Sequence, residues 1–387
     1  MVKTQNNSNF LAVYFIAIGA FSLGMSSYIT AGLLPLIQHD FNVSITLTAQ
    51  LVTVFTLAYG LGSPVIVALL PENKQKLGLL SALFIFFIAN FISALATHFS
   101  ILFISRLFAG IGAGVYLAIG IAIATTVVNP QQRGQAISMI MGGMAAGTVL
   151  GVPIGLLISN QLGWQASMYM ISVLGGLAFI GLYFKLPQVQ GFKVQSLSEK
   201  LRLLQDRSVL KILFISLLAA VSSLGFYTYL FPFLNSADFG AVQNITPFLW
   251  FWGVGGILGS ILVGYVAKRV SNKRLTSWIM LILSIVFLLI PFLAKWNPWL
   301  TLVPIVLWGA VGWALQVPQN EQLIIEREQK GGGELAVALN ESALYLGSAI
   351  GAGMGGLIFY FNWPLWYLPV FASFIVFLGF IYQMKGN

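Results

Sequence analysis

Two ionisable side chains fall deep inside long apolar stretches, Arg106 and Glu341. A charge near a bilayer centre costs roughly 2.5–3.5 kcal/mol on insertion scales, so each must face a protein interior or a water-filled cavity. Arg106 lies about two turns from the start of its stretch. It reads either as a substrate or proton-linked site, or as a structural donor to carbonyls of neighbouring helices. Glu341 lies about two turns inside its own stretch, where a proton carrier and a solvated helix start are both open. Tyr116, Trp308 and Gln316 are candidates for the lining of a central cavity. Trp308 and Trp313 are five apart and do not share a helical face, so at least one is expected to meet lipid. Asn90 and Asn340 are of the type that hydrogen-bonds across helices more often than it touches substrate. Tyr227 belongs to the aromatic run 225–233, which reads first as an interfacial belt and second as a gate or substrate platform.

Other chemistries lack their residues. There is no Gly-x4-Gly-Lys string, no Gly-x-Ser-x-Gly elbow and no His-Glu-x2-His pair. Nucleotide-driven work and enzymatic catalysis have no visible machinery. With no cysteine and two histidines, neither a thiolate metal site nor a cofactor is expected. His39 and His98 fall in predicted loops.

The elements that must position these groups follow from composition. Of 387 residues, 58% are hydrophobic and 7% charged, whereas a soluble domain carries about a quarter charged residues. Lipid must cover most of the outer surface. A helix needs about 20 apolar residues to cross. Spans are predicted near 10–37, 46–70, 77–97, 99–128, 135–159 and 165–186. Six more follow near 209–234, 244–267, 275–294, 298–318, 335–360 and 363–384. The first apolar run is too long for a cleavable signal peptide and reads as a retained span. With the N-terminus inside, seventeen of the nineteen Lys and Arg fall on the cytoplasmic side, as the positive-inside rule requires. The net charge of +9 is therefore topological, and no nucleic-acid partner is expected.

The halves resemble one another. Span 5 reads Gly147-x3-Gly151-x-Pro153-x-Gly155, and 200 residues later span 11 reads Gly347-x3-Gly351-x-Gly353-x-Gly355. Such strings let helices approach closely, and Pro153 should kink its helix. The expectation is that these glycines form the packing between two halves that rock. The expected fold is all-α: twelve transmembrane helices in two pseudo-symmetric six-helix bundles, 1–186 and 209–387. The polar stretch 187–208 joins them, with Leu197, Leu201 and Leu204 at helical spacing among basic residues, as suits a helix on the cytoplasmic membrane surface.

These features together resemble the major facilitator superfamily, and within it the bacterial drug/proton antiporter branch that includes arabinose, sugar and purine efflux permeases. Arg106-Leu-Phe-Ala-Gly110-Ile-Gly112 is similar to the span 4 motif whose arginine is tied to proton coupling. Gly147 through Trp164 is similar to the antiporter motif of span 5. Tyr59-Gly60-Leu-Gly62-Ser-Pro64 and Asn340-Glu-Ser-Ala-Leu-Tyr-Leu-Gly347 also fit. The chain departs from the pattern at Pro71 and Lys268, where acids are usual. It departs again at Ser27, where efflux relatives often carry a carboxylate. The resemblance implies a secondary exporter working by alternating access in the bacterial inner membrane, with both termini cytoplasmic. A small molecule would be the cargo, the proton the coupling ion and a monomer the functional unit. An uncoupled facilitator is the alternative, and a non-transporting membrane sensor or scaffold the more distant one.

Overall fold

The computed structural model describes residues 2–187, 198, 202–328 and 330–384. Twelve helices long and apolar enough to cross a membrane run through them: Phe10–Phe41, Ile45–Leu69, Gln75–Ala94, Phe99–Val127, Pro130–Leu162, Trp164–Lys185, Arg207–Asn235, Thr246–Ala267, Asn272–Trp296, Pro298–Arg327, Leu335–Tyr360 and Tyr367–Met384. They are spans 1 to 12 below. Most of their backbone groups are satisfied helix by helix, the solution that hydrocarbon imposes. Side chains such as Leu69, Leu162 and Phe184 are more than 70% exposed, a surface that only lipid tolerates.

Packing divides the chain into two compact units. One comprises Met1–Leu36 with Val54–Leu197, the other Ile37–Thr53 with Ser198–Asn387. The second unit thus includes the end of span 1 and the start of span 2, where the Thr46 hydroxyl donates to the Gly356 carbonyl at 3.2 Å. In the first unit, spans 2 and 3 pack along span 4, and span 3 also packs along span 6. In the second, span 8 packs along span 10, span 9 along span 12, and span 7 along span 11. The same pairings six spans apart are the structural form of the internal repeat.

Two proline-bearing spans depart from α-geometry. Ala58–Gly62 in span 2 and Gly147–Gly151 in span 5 form one turn of π-helix, and each runs into a following proline, Pro64 or Pro153. A proline has no N–H for the usual helical bond, and a wider turn lets the ladder step past it. Span 10 is longer than its hydropathy predicts. It continues past 318 to Arg327, interrupted at Leu315, as a polar second half Gln316–Arg327. Most of the joining segment, with Leu197, Lys200 and Leu201, lies outside the described residues. Near its end Leu203 is buried, and Asp206 caps span 7 by accepting from the Ser208 N–H at 3.1 Å.

The aromatic run of span 7 corrects the belt reading. Phe226, Tyr227, Tyr229 and Phe233 are all buried. Exposed aromatics at span ends include Trp296, Trp299, Trp363 and Trp366, which suit the interface.

Candidate functional site

Arg106 of span 4 is fixed by three other spans of the first unit. Its Nη1 donates to Ser26 Oγ at 3.1 Å and to Asn90 Oδ1 at 3.3 Å. Its Nη2 donates to the Ser26 carbonyl at 2.8 Å. Phe55 of span 2 covers the guanidinium, with its ring centroid 4.4 Å from Cζ, a cation–π geometry. Ser26 Oγ in turn donates to Asn90 Oδ1 at 3.3 Å. Spans 2 and 4 come together because Gly110, one turn after the arginine, presents no Cβ to the Phe55 carbonyl.

The side chain is 1% exposed, and Nε has no partner. Among the described residues no carboxylate pairs with it. A buried charge held only by neutral oxygens and a ring face is costly, because none of these returns a full opposite charge. The structure places Ser26, not Ser27, beside the arginine. Ser27 turns its hydroxyl to the Leu23 carbonyl of its own helix at 2.9 Å. The i and i+1 positions face about 100° apart, so the sequence register alone could not choose between them.

Tyr116 is fully buried and spans the unit from span 4 to span 1, its hydroxyl donating to the Ile16 carbonyl at 3.1 Å. Its polar end is used within the fold. The span 5 glycines are also used within their own unit. Gly147 lies against the Phe21 carbonyl, a Cβ on Gly151 would stand 3.2 Å from Met25, and Gly155 lies against Met25 and Ile29. Gly347 and Gly351 likewise seat span 11 on Leu217, Val221 and Gly225 of span 7. Their missing Cβ atoms admit spans 1 and 7 of the same unit. Met25 rests on the span 5 motif while Ser26, the next residue, holds Arg106.

In the second unit Trp308 is fully buried and donates its Nε1 to Ser223 Oγ at 2.6 Å. Phe226, Phe287, Trp252 and Tyr227 surround it at centroid distances of 5.3–6.3 Å. Trp252 also meets Trp313 at 5.7 Å, so the two tryptophans of span 10 share a neighbour despite their spacing. Trp313 packs over Gly256. This is a filled aromatic core. Gln316 and Glu341 are half-buried, and Asn340 is buried, donating to Asn320 Oδ1 at 2.8 Å. The structure gathers Arg106 with Ser26, Asn90 and Phe55. The other candidates fall elsewhere in the two units. Ser26 and Phe55 are the residues that sequence reasoning missed, since each is one of many serines and phenylalanines in apolar helices.

The sequence pattern of the Major Facilitator Superfamily matches residues 16–327. The chain belongs to this superfamily. It is 28% identical to the inner membrane transport protein YdhP of Escherichia coli (strain K12), over 95% of this chain and 93% of that one. It is 30% identical to the MFS-type transporter YfhI of Bacillus subtilis (strain 168), over 92% of this chain and 89% of that one. Two solved structures share its fold. A bacterial homolog of the human lysosomal transporter Spinster superposes with a TM-score of 0.72 at 15% identity, covering 98% of this chain and 96% of that one. A point mutant of the nucleoside transporter NupG superposes with a TM-score of 0.72 at 12% identity, covering 97% and 98%. As a member of the superfamily, this is a multi-pass inner membrane transporter, not an enzyme, and its fold implies alternating access.

Proposed function

We propose that this transporter is a secondary active exporter of a small neutral or weakly polar molecule, such as a sugar, nucleoside, other metabolite or drug, exchanged for protons. Arg106 carries the reading. A guanidinium buried without a counter-carboxylate is expensive to keep, and membrane-embedded charges of this kind mark substrate and ion pathways. The antiporter-like motif of span 5 supports export, because it packs on span 1 one residue from the arginine's main partner. Glu341 is the carboxylate best placed along the spans to carry a proton. Multiply charged cargo is disfavoured by the scarcity of embedded partners.

In this proposal two six-helix bundles, 1–186 and 209–387, rock about the cargo, both termini face the cytoplasm, and a monomer suffices. Comparing metabolites released by deletion and overexpressing cells identifies the cargo. Inverted vesicles then test coupling. An Arg106→Ala variant is expected to lose pH-driven uptake by at least about tenfold, roughly one charge-assisted hydrogen bond's worth of free energy. Full pH-driven transport in that variant refutes the coupling role. The neutral partners of Arg106 also favour a second reading, an uncoupled facilitator, which would show counterflow indifferent to a proton gradient.

A further inference from the structure

A second polar site lies in the cytoplasmic half of the second unit, where spans 7, 10 and 11 meet. Its base is apolar: Val209, Ile212 and Leu213 of span 7 pack with Leu323 of span 10 and Ala336 of span 11. One helical turn further on, the same faces carry different residues. Leu323 is followed by Gln319, Ala336 by Asn340, and Ile212 by Ser216, each four positions away. An apolar layer gives way to a polar one.

All three side chains are only 1% exposed, and each holds an oxygen without a partner: Gln319 Oε1, Asn340 Oδ1 and Ser216 Oγ. The Gln319 orientation is set chemically. Its Nε2 faces the Ile212 carbonyl at 3.5 Å, which can only accept, so Oε1 is the end left without a partner. Asn340 spends its Nδ2 on Asn320. Ser216 leaves its own i−4 carbonyl, that of Ile212, to Gln319, although a helical serine commonly bonds there. Span 10 is also broken close to this layer. Its helix is interrupted at Leu315, and Pro318 has no N–H to give the Ala314 carbonyl. Discontinuous spans whose freed carbonyls face a buried layer are the way transporters of other folds hold cations. Glu341 follows Asn340 and places a carboxyl group at this level of the span.

An unpaired buried acceptor costs about 1–3 kcal/mol, and three in one layer suit a ligand that engages lone pairs, either a metal cation or a group with several N–H donors. A neutral hydroxyl donates once. Divalent cations demand several carboxylates and many oxygens, which this layer lacks. We infer that Ser216, Gln319 and Asn340 form a binding site for a compact monovalent cation, either an alkali ion or a primary ammonium group. The site goes beyond the export reading and is separate from Arg106.

Thermal unfolding of the purified full chain tests it, at constant pH and chloride, with choline replaced stepwise by sodium, potassium or methylammonium. Choline is too bulky for the seam. One of the compact cations is expected to raise the unfolding midpoint saturably, as any ligand of the folded state does. Response to sodium or potassium identifies an alkali-ion site, and response to methylammonium alone identifies an ammonium site. Ser216→Ala and Gln319→Leu should each weaken half-saturation about tenfold, as the loss of one ligand does. Pro318→Ala, which returns an N–H to Ala314 and favours the helix, should weaken it without lowering the midpoint in choline. Equal midpoints in all four salts, or a shift that survives Ser216→Ala and Pro318→Ala, overturns the inference and leaves a site filled by water. The readout involves no transport. Proton-driven export that persists in choline therefore leaves the export reading standing when the cation site fails.

Discussion

Arg106 separates stability from function at the level of one residue. Replacing a buried charge by a neutral side chain of similar size is often neutral or stabilising. Arg106→Gln is therefore expected to keep or raise the thermal unfolding midpoint while transport falls. A purely structural arginine would show the reverse, a lower midpoint with transport scaling to the folded fraction. Asp206 makes a prediction for pH. Partial burial pushes its carboxyl up, but hydrogen bonds from the Ser208 N–H, Lys330 and Arg327 outweigh this and hold it below the usual carboxylate range. Its contacts with Arg327 at 3.1 Å and Lys330 at 3.4 Å tie the start of span 7 to the end of span 10. Because the folded-state value is depressed, the stabilisation is present above the unfolded value and is lost as pH falls through the folded one. The gap in unfolding midpoint between the wild type and Asp206→Asn should be open at pH 7 and close on acidification below about pH 4. A gap that persisted in acid would show that the caps and ion pairs contribute little.

Elements in this protein are joined by what is missing from them. Span 5 lies on span 1, and span 11 on span 7, because Gly147 and Gly351 have no Cβ to meet the Phe21 and Val221 carbonyls. Gly147→Val and Gly351→Val should each destabilise by about 1–3 kcal/mol, the usual cost of overpacking, measured by thermal or denaturant unfolding. Little change in either would mean that the helices separate freely. The π-turns of spans 2 and 5 and the interruption of span 10 all sit within a turn or two of a proline. In span 5 this turn carries the glycines that touch span 1, so a shift of span 5 bears directly on the helix that holds Arg106. Pro153→Ala is expected to regularise span 5 and slow transport more than it lowers stability, a split that vesicle uptake and unfolding can read separately.

The whole molecule is open to a test of topology. The chain has no cysteine, so single-cysteine variants report one position each. Cysteines replacing Arg133 and Arg269 should react with a membrane-impermeant reagent only from the cytoplasmic face. One replacing Lys295 should react only from the other. Arg133 and Arg269 on opposite faces would break both the proposed orientation and the duplicated arrangement. Twelve spans were legible because hydrocarbon requires long apolar helices, and their count is fixed by the alternation of basic loops. The end of span 10 was not legible. Gln316, Gln319, Asn320 and Glu321 lower its hydropathy, although Gln319 is as buried as a leucine. The aromatic run of span 7 misled for the opposite reason, since a belt and a core take the same residue types.

Composition and periodicity alone established a lipid-embedded bundle and its repeat, because these depend on how much apolar surface each segment carries along one dimension, while its family was legible only through the resemblance of its span 4 and span 5 motifs. They also singled out Arg106, since a charge in such a segment has no cheap alternative. Only the folded arrangement could show that Ser26 is its partner and not Ser27, that the glycines serve spans 1 and 7, and that Ser216, Gln319 and Asn340 each keep a buried oxygen without a partner. Each of these depends on the rotation of a helix about its axis and on which neighbour lies across from it. A uniformly apolar helix does not encode that rotation in its own sequence, so packing between helices decides it.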